Sequence, residues 1–140
     1  MKHPRSAHPF TLPVRVYYED TDAAGVVYYA NYLRYFERVR TEWLRDIGRN
    51  HADMVREHGL MFVVRSVTLD YLKPARLDDL LSVGVEVEKL GRAQVVLRQF
   101  VRRGDDELVT GTVNIACVDM EKMKTAPIPE YLRETLKALQ

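Results

Sequence analysis

Cysteine is nearly absent from this chain of 140 residues: Cys117 stands alone, so no disulfide can form within it, and an intracellular setting is expected. Charge of one sign is equally scarce. Lys and Arg number 21 against 20 Asp and Glu, a formal net charge of +1, which lacks the basic surplus of a dedicated nucleic-acid binder. No apolar run approaches the roughly 20 residues of a membrane span. The first ten residues hold no apolar stretch of the secretory kind and are broken by Pro4 and Pro9, so they do not read as a signal peptide. A cytoplasmic location follows as the expectation. Also missing are a Gly-x-Ser-x-Gly elbow, a phosphate loop, a dinucleotide fingerprint, internal repeats and any low-complexity linker.

What remains is an ordinary globular composition, 46% apolar and 29% charged, on a chain long enough for one core and too short for two. Residues 1–12 read as a flexible arm and 13–140 as a single domain. Val14, Val16 and Tyr18 alternate with Arg15, Tyr17 and Glu19, predicting a strand over 14–19. From about Ala30 to Ile47 the period changes. Leu33, Phe36, Trp43, Leu44 and Ile47 share one helical face, with Arg40 as an intruder, and Gly48 is a natural stop. A short helix over 52–58 would end at Gly59. Strands are then predicted over 63–71, 81–88, 93–102 and 108–119, separated by Pro74, Gly91 and the Arg103-Gly-Asp-Asp106 turn. A last amphipathic helix follows Pro127 and Pro129. The expected fold is α+β: an antiparallel sheet of about five strands, four of them a meander, around one long helix. One helix covers one face only, so edges or apolar surface are left for a second copy to cover.

The chemistry is concentrated in the turn between the first strand and the long helix. Three readings of Glu19-Asp-Thr-Asp22 compete. Asp, Thr and Gly are common in turns that do nothing else. Asp20-x-Asp22-x-x-Gly25 matches the opening of a Ca²⁺ loop, but Ala24 and Asn31 stand where later oxygen ligands are needed, so no metal site is assigned. The third reading is catalytic. Asp22 precedes a glycine turn and a helix N-terminus, where unpaired N–H groups can stabilise a developing oxyanion and the carboxylate can attack a carbonyl or activate water. Gly25 would let the chain approach a ligand closely. Other candidates are thinner. His51 and His58 lack a ligand pattern around them, and Cys117, inside Ile115-Ala-Cys-Val118, reads as a buried structural thiol rather than a nucleophile.

The stretch Asp20-Thr-Asp22-Ala-Ala-Gly25-Val26-Val27-Tyr28-Tyr29-Ala-Asn31-Tyr32 closely resembles the signature of hot-dog acyl-CoA thioesterases of the 4-hydroxybenzoyl-CoA thioesterase superfamily, nearest to the Tol–Pal-associated (YbgC-like) branch. The likeness continues through Phe36-Glu-Arg-Val-Arg-Thr-Glu-Trp-Leu44, Phe62-Val-Val-Arg65, Tyr71-Leu-Lys-Pro-Ala-Arg-Leu-Asp-Asp79 and Cys117-Val-Asp119. It implies a hot-dog fold and hydrolysis of an acyl-CoA to a free acid and coenzyme A, without a cofactor. Asp22 is then the catalytic carboxylate, as nucleophile or general base, and the Tyr29 N–H polarises the carbonyl. Gly25, Val26, Val27 and Tyr28 border the substrate. Many members of this branch carry His where Tyr29 stands, which favours a main-chain role there. The resemblance also implies sites shared between subunits, hence a dimer or tetramer. Arg92, Arg102 and Arg103, drawn from a pool that includes Arg65, Lys73 and Arg76, are the candidate ligands of the coenzyme A phosphates. Two rivals stand beside this: a non-catalytic hot-dog module binding acyl-CoA or acyl carrier protein, and a dehydratase, which the lack of a His near Asp22 disfavours.

Overall fold

The computed structural model describes residues 9–47 and 51–140; of the arm expected over residues 1–12, residues 1–8 lie outside the described residues, as does the stop at Gly48, while Phe10 to Leu12 are held in a strand by pairing with Val85 to Val83. The elements are β1 (Phe10–Arg15), a 3-10 turn (Tyr18–Asp20), α1 (Asn31–Asp46), α2 (His51–His58), β2 (Leu60–Tyr71), β3 (Leu80–Leu90), β4 (Gln94–Arg103), β5 (Asp106–Asp119), β6 (Lys124–Thr125) and α3 (Glu130–Leu139). Five strands form one antiparallel sheet in the order β1-β3-β4-β5-β2, and the short β6 pairs with β5. Leu81, Val83, Val85 and Val87 of β3, Val95, Leu97 and Val101 of β4, and Val113 and Ile115 of β5 form one buried cluster with α1. That is the expected architecture of a sheet about one long helix.

Three departures from the sequence reading have physical causes. First, β1 begins at Phe10 and ends at Arg15, pairing Phe10 with Val85 through Arg15 with Leu80. Pro13 is tolerated because β1 is an edge strand. Beyond it, Val16 is held by the loop before β3: its N–H donates to Asp79 O at 2.9 Å and its carbonyl accepts from Asp78 N at 3.0 Å. Tyr18, expected on one side of a strand with Val14 and Val16, is 82% exposed in the 3-10 turn, while those two are buried. Second, the buried face of α1 is Tyr32, Tyr35, Phe36, Val39, Trp43 and Leu44, while Leu33 is exposed. Tyr32 and Tyr35 serve as core residues because a tyrosine ring is apolar apart from its hydroxyl, and Arg40 is accommodated at the margin by a hydrogen bond to Gln99. Third, only β3, β4 and β5 form a meander. β2 pairs with β5, from Leu60 opposite Asp119 to Tyr71 opposite Val109, so β1 and β2 are the two outer edges.

Candidate active site

The chain from Asp20 to Tyr28 folds back on itself as a miniature hairpin. Asp22 N–H donates to Val26 O at 2.9 Å, Thr21 bridges Val27, and Tyr28 N–H donates to Asp20 O at 2.9 Å. Gly25 turns the tip at φ +79°, a region that costs residues with a Cβ. Asp22 lies at this tip, exposed, with Oδ1 accepting from Ala24 N–H at 2.8 Å. Oδ2 accepts no hydrogen bond from the described residues and faces solvent.

The hairpin is anchored on three sides. Asp20 Oδ2 accepts from Tyr17 N–H at 2.9 Å, and its carbonyl also takes the Asn31 Nδ2 amide at 2.9 Å, joining the turn to the first residue of α1. Val27 N–H donates to Ala75 O at 2.8 Å, and Ala75 N–H donates in turn to the Tyr32 hydroxyl at 3.1 Å. Beneath lies Tyr35, fully buried, whose hydroxyl is without a hydrogen-bond partner among the described residues. Burial, and next the Asp20 carboxylate, raise its pKa, so it stays neutral.

This bonding leaves particular donors free. The N–H groups of Val27 and Tyr28 are committed, whereas those of Tyr29 and Ala30, in the turn that enters α1, donate to no acceptor among the described residues. They are the unpaired amides at the positive end of the α1 dipole, since the N–H groups of Asn31, Tyr32 and Leu33 already donate to the carbonyls of Tyr28, Tyr29 and Ala30. Beside them, Val27, Tyr29, Tyr32, Tyr71, Leu72, Lys73 and Pro74 enclose a cavity of about 260 Å³. Its aromatic walls are interlocked: Tyr29 and Tyr32 meet Tyr71 with ring centroids 6.3 and 5.8 Å apart, and Tyr28 meets Tyr29 at 4.9 Å. The hydrogen bond and charge of Tyr29, with a lesser effect of burial, raise the pKa of Tyr28.

Asp22, Gly25, Val26, Val27, Tyr28 and Tyr29 are thus brought together on one short segment. The three arginines are not. Arg102 and Arg103 stand at the C-terminal end of β4 and Arg92 before its start, about 30 Å away at 3.3 Å per strand residue. Arg103 is already bonded to Asp79 Oδ2 at 2.7 Å. Arg102 is paired with Glu107 at 3.2 Å and lies over the Phe100 ring at 4.0 Å. Only Arg92, exposed and without an ion pair among the described residues, is uncommitted; it borders a separate cavity with Lys89, Gln94 and Asn114. Sequence reasoning missed Tyr32 and Tyr71 as cavity walls and Asn31 as the clasp of the turn. The Asn at the first helical position was the one available signal.

Cys117 is buried, and burial pushes its thiol up to about 11, so it carries no thiolate near neutrality. No group of His, Cys, Asp and Glu suited to a metal occurs among the described residues, and none of their helices is long and apolar enough to cross a membrane.

Residues 16–136 match the thioesterase-like superfamily. The acyl-CoA thioesterase YbgC of Haemophilus influenzae is 44% identical over 131 residues, covering 94% of this chain and 96% of that protein. The acyl-CoA thioester hydrolase YbgC of Escherichia coli is 42% identical over 88% of this chain and 92% of its own length. Among solved structures, a probable thioesterase from Bartonella henselae superposes with a TM-score of 0.81 at 37% identity, covering 87% of this chain and all of the other, and has the hot-dog architecture described above.

Proposed function

The chain belongs to the thioesterase-like superfamily and is an acyl-CoA thioester hydrolase, and on that premise we propose that Asp22 and the Tyr29 N–H carry the reaction. The observation that supports this is an exposed carboxylate, free at Oδ2, at the tip of the hairpin, and an uncommitted amide where that hairpin runs into the mouth of α1. The thioester carbonyl accepts the Tyr29 N–H, which stabilises the oxyanion as it forms. Asp22 either attacks the carbonyl carbon, expelling coenzyme A thiolate and leaving a mixed anhydride that water opens, or takes a proton from the water that attacks. Both routes consume one water and yield a carboxylic acid and the free thiol. No metal enters either.

β2 is an exposed edge of 12 residues, and a second copy pairing along it is the natural cover. In such an antiparallel pair, the end of the second copy that bears Arg92 and Lys89 comes alongside the Asp22 end of the first. Coenzyme A phosphates would then meet a cation from across the interface, which accounts for an arginine too far from Asp22 in its own chain. A pair, or a tetramer made of two, is the assembly we propose, in the cytoplasm, where a reduced Cys117 and a coenzyme A substrate are at home. The test is hydrolysis of short, long and aromatic acyl-CoAs and of acyl carrier protein thioesters by the wild type and Asp22→Asn. Turnover by the wild type that Asp22→Asn abolishes supports the reading; equal turnover by both overturns the assignment of Asp22.

A further inference from the structure

The seam between α1 and β2 leads away from this site to a second cavity that the proposed chemistry does not use. The two elements run in opposite directions: Tyr32 meets Tyr71 at one end, and Leu44 lies across from Met61 and Phe62 at the other. At that far end Arg40, Thr41, Leu44, Phe62 and Val64 are among the walls of a cavity of about 360 Å³. This volume falls in the small-molecule range of roughly 300–1,000 Å³. Leu33, Glu37, Arg40, Thr41 and Leu44 recur at helical spacing on one stripe of α1, and Leu33 and Val67 are exposed apolar residues between the two ends. Leu33 and Val67 thus lie along the way from one cavity to the other, and the far cavity bears one cation, Arg40, with the carboxylate of Glu37 beside it.

Arg40 is partly buried there and its position is set from behind. Its Nη1 donates to Gln99 Oε1 at 2.9 Å, and Gln99 Nε2 donates to Phe36 O at 3.1 Å. Gln99 is wholly buried, a placement that costs free energy unless the amide is bonded. Its two bonds hold the guanidinium in one orientation. Arg40 has five N–H donors, and Gln99 is the one acceptor they find among the described residues. Its remaining nitrogens are not sealed in the core, and the open space they border is this cavity. No ion pair among the described residues includes Arg40; burial disfavours its charge, and Glu37, three residues before it on the same cavity wall, partly offsets this without reaching bonding distance.

We propose that this seam is the acyl-chain channel and that Arg40 selects acyl groups ending in a carboxylate. The inference rests on the thioesterase reading and names its substrate class: an ω-carboxyacyl thioester. Arg40 lies nine residues beyond Asn31, about 14 Å at 1.5 Å per residue. The acyl group that reaches it has roughly a dozen carbons at ordinary bond lengths. A planar guanidinium matches a carboxylate with two parallel bonds, and a second copy covering β2 would roof the channel and strengthen the pairing.

The experiment compares kcat/KM for dodecanedioyl-CoA and dodecanoyl-CoA. The wild type is expected to favour the dioyl substrate. Arg40→Met should lower that ratio roughly ten- to a hundredfold, the worth of a charged hydrogen bond, and Arg40→Lys should keep part of it. If Arg40→Met fails to fold because Gln99 is left unpaired, the double variant with Gln99→Met removes both polar groups and should show the same loss. A ratio that is the same in the wild type and a folded variant overturns the inference. So does a variant that dissociates into single chains while keeping the ratio, which would make Arg40 a subunit contact. A wild type that hydrolyses no acyl-CoA of any kind overturns the thioesterase reading itself, a distinct failure.

Discussion

Replacing Asp22 by Asn keeps the shape of the side chain and removes its charge. The structural cost should be small, because Asp22 is exposed and the Ala24 N–H that now donates to Oδ1 at 2.8 Å finds an equivalent amide oxygen in Asn. Exposed substitutions of this kind usually stay within about 0.5 kcal/mol. The chemical cost is of another order. An amide is no base and a poor nucleophile, and a positioned acid–base group contributes roughly 10²–10⁴-fold, or about 2.7–5.5 kcal/mol at 1.36 kcal/mol per tenfold. The Tyr29 N–H and the cavity survive the change, so KM should move little while kcat falls. Release of the coenzyme A thiol can be followed with a chromogenic thiol reagent. Cys117 adds little background, since it is buried and its thiol is pushed up to about 11. Equal denaturation midpoints with a kcat within about threefold of wild type would refute the assignment.

Cys117→Ser should leave the rate per folded molecule unchanged while lowering stability by about 1–3 kcal/mol, since a hydroxyl is buried at greater cost than a thiol; a collapse of turnover in the folded variant would make the thiol catalytic. Burial acts to raise the pKa of Asp79, but the Arg76 N–H and the Arg103 guanidinium outweigh it and hold the carboxyl below its usual range. The stability from this contact is complete above the unfolded carboxylate value of about 3.9 and is lost as the pH falls through the lower folded value. Arg103→Ala should therefore flatten the acid limb of stability against pH by up to about 1 kcal/mol; an unaltered limb in acid titrations would contradict it. A Cβ on Gly84 would sit 2.0 Å from Cζ of Phe100, so Gly84→Ala should cost about 1–3 kcal/mol in urea unfolding, partly recovered by adding Phe100→Leu. Light scattering at micromolar concentration should find a multiple of 16.3 kDa; a single-chain mass would overturn the paired assembly.

Periodicity exposed β3, β4 and β5 in the sequence because the large apolar residues lie on one face of each, so Val83, Val85 and Val87 alternate with Ser82, Gly84 and Glu86, although Gly84 and Glu86 are themselves covered. It failed for β1, where the pairing of Phe10 to Leu12 with β3 decides the start and a loop contact at Val16 decides the end, neither of which leaves a local pattern. The position of β2 was likewise hidden, since strand order depends on where α1 returns the chain. At the site, Asp22, Gly25 and Tyr29 were legible because they are close in sequence. Tyr71 reaches Tyr29 and Tyr32 only through the sheet, and Arg92 and Arg103 are parted by the length of a strand that the sequence shows as ten unremarkable residues.

The two edges of the sheet are unlike. β1 is six residues long and carries Pro13, which has no N–H to offer a neighbour, and Arg15; β2 offers twelve residues with no proline. Chains that join edge to edge have two options with opposite fates. Joining β1 of one copy to β2 of the next leaves a fresh β2 at every step, and the product is a fibre without end. Joining β2 to β2 uses up both receptive edges at once and leaves a short, proline-bearing strand at each margin. In the paired assembly proposed above, one proline at the blunt edge would thus bias the chain toward a closed, countable particle and away from open polymerisation.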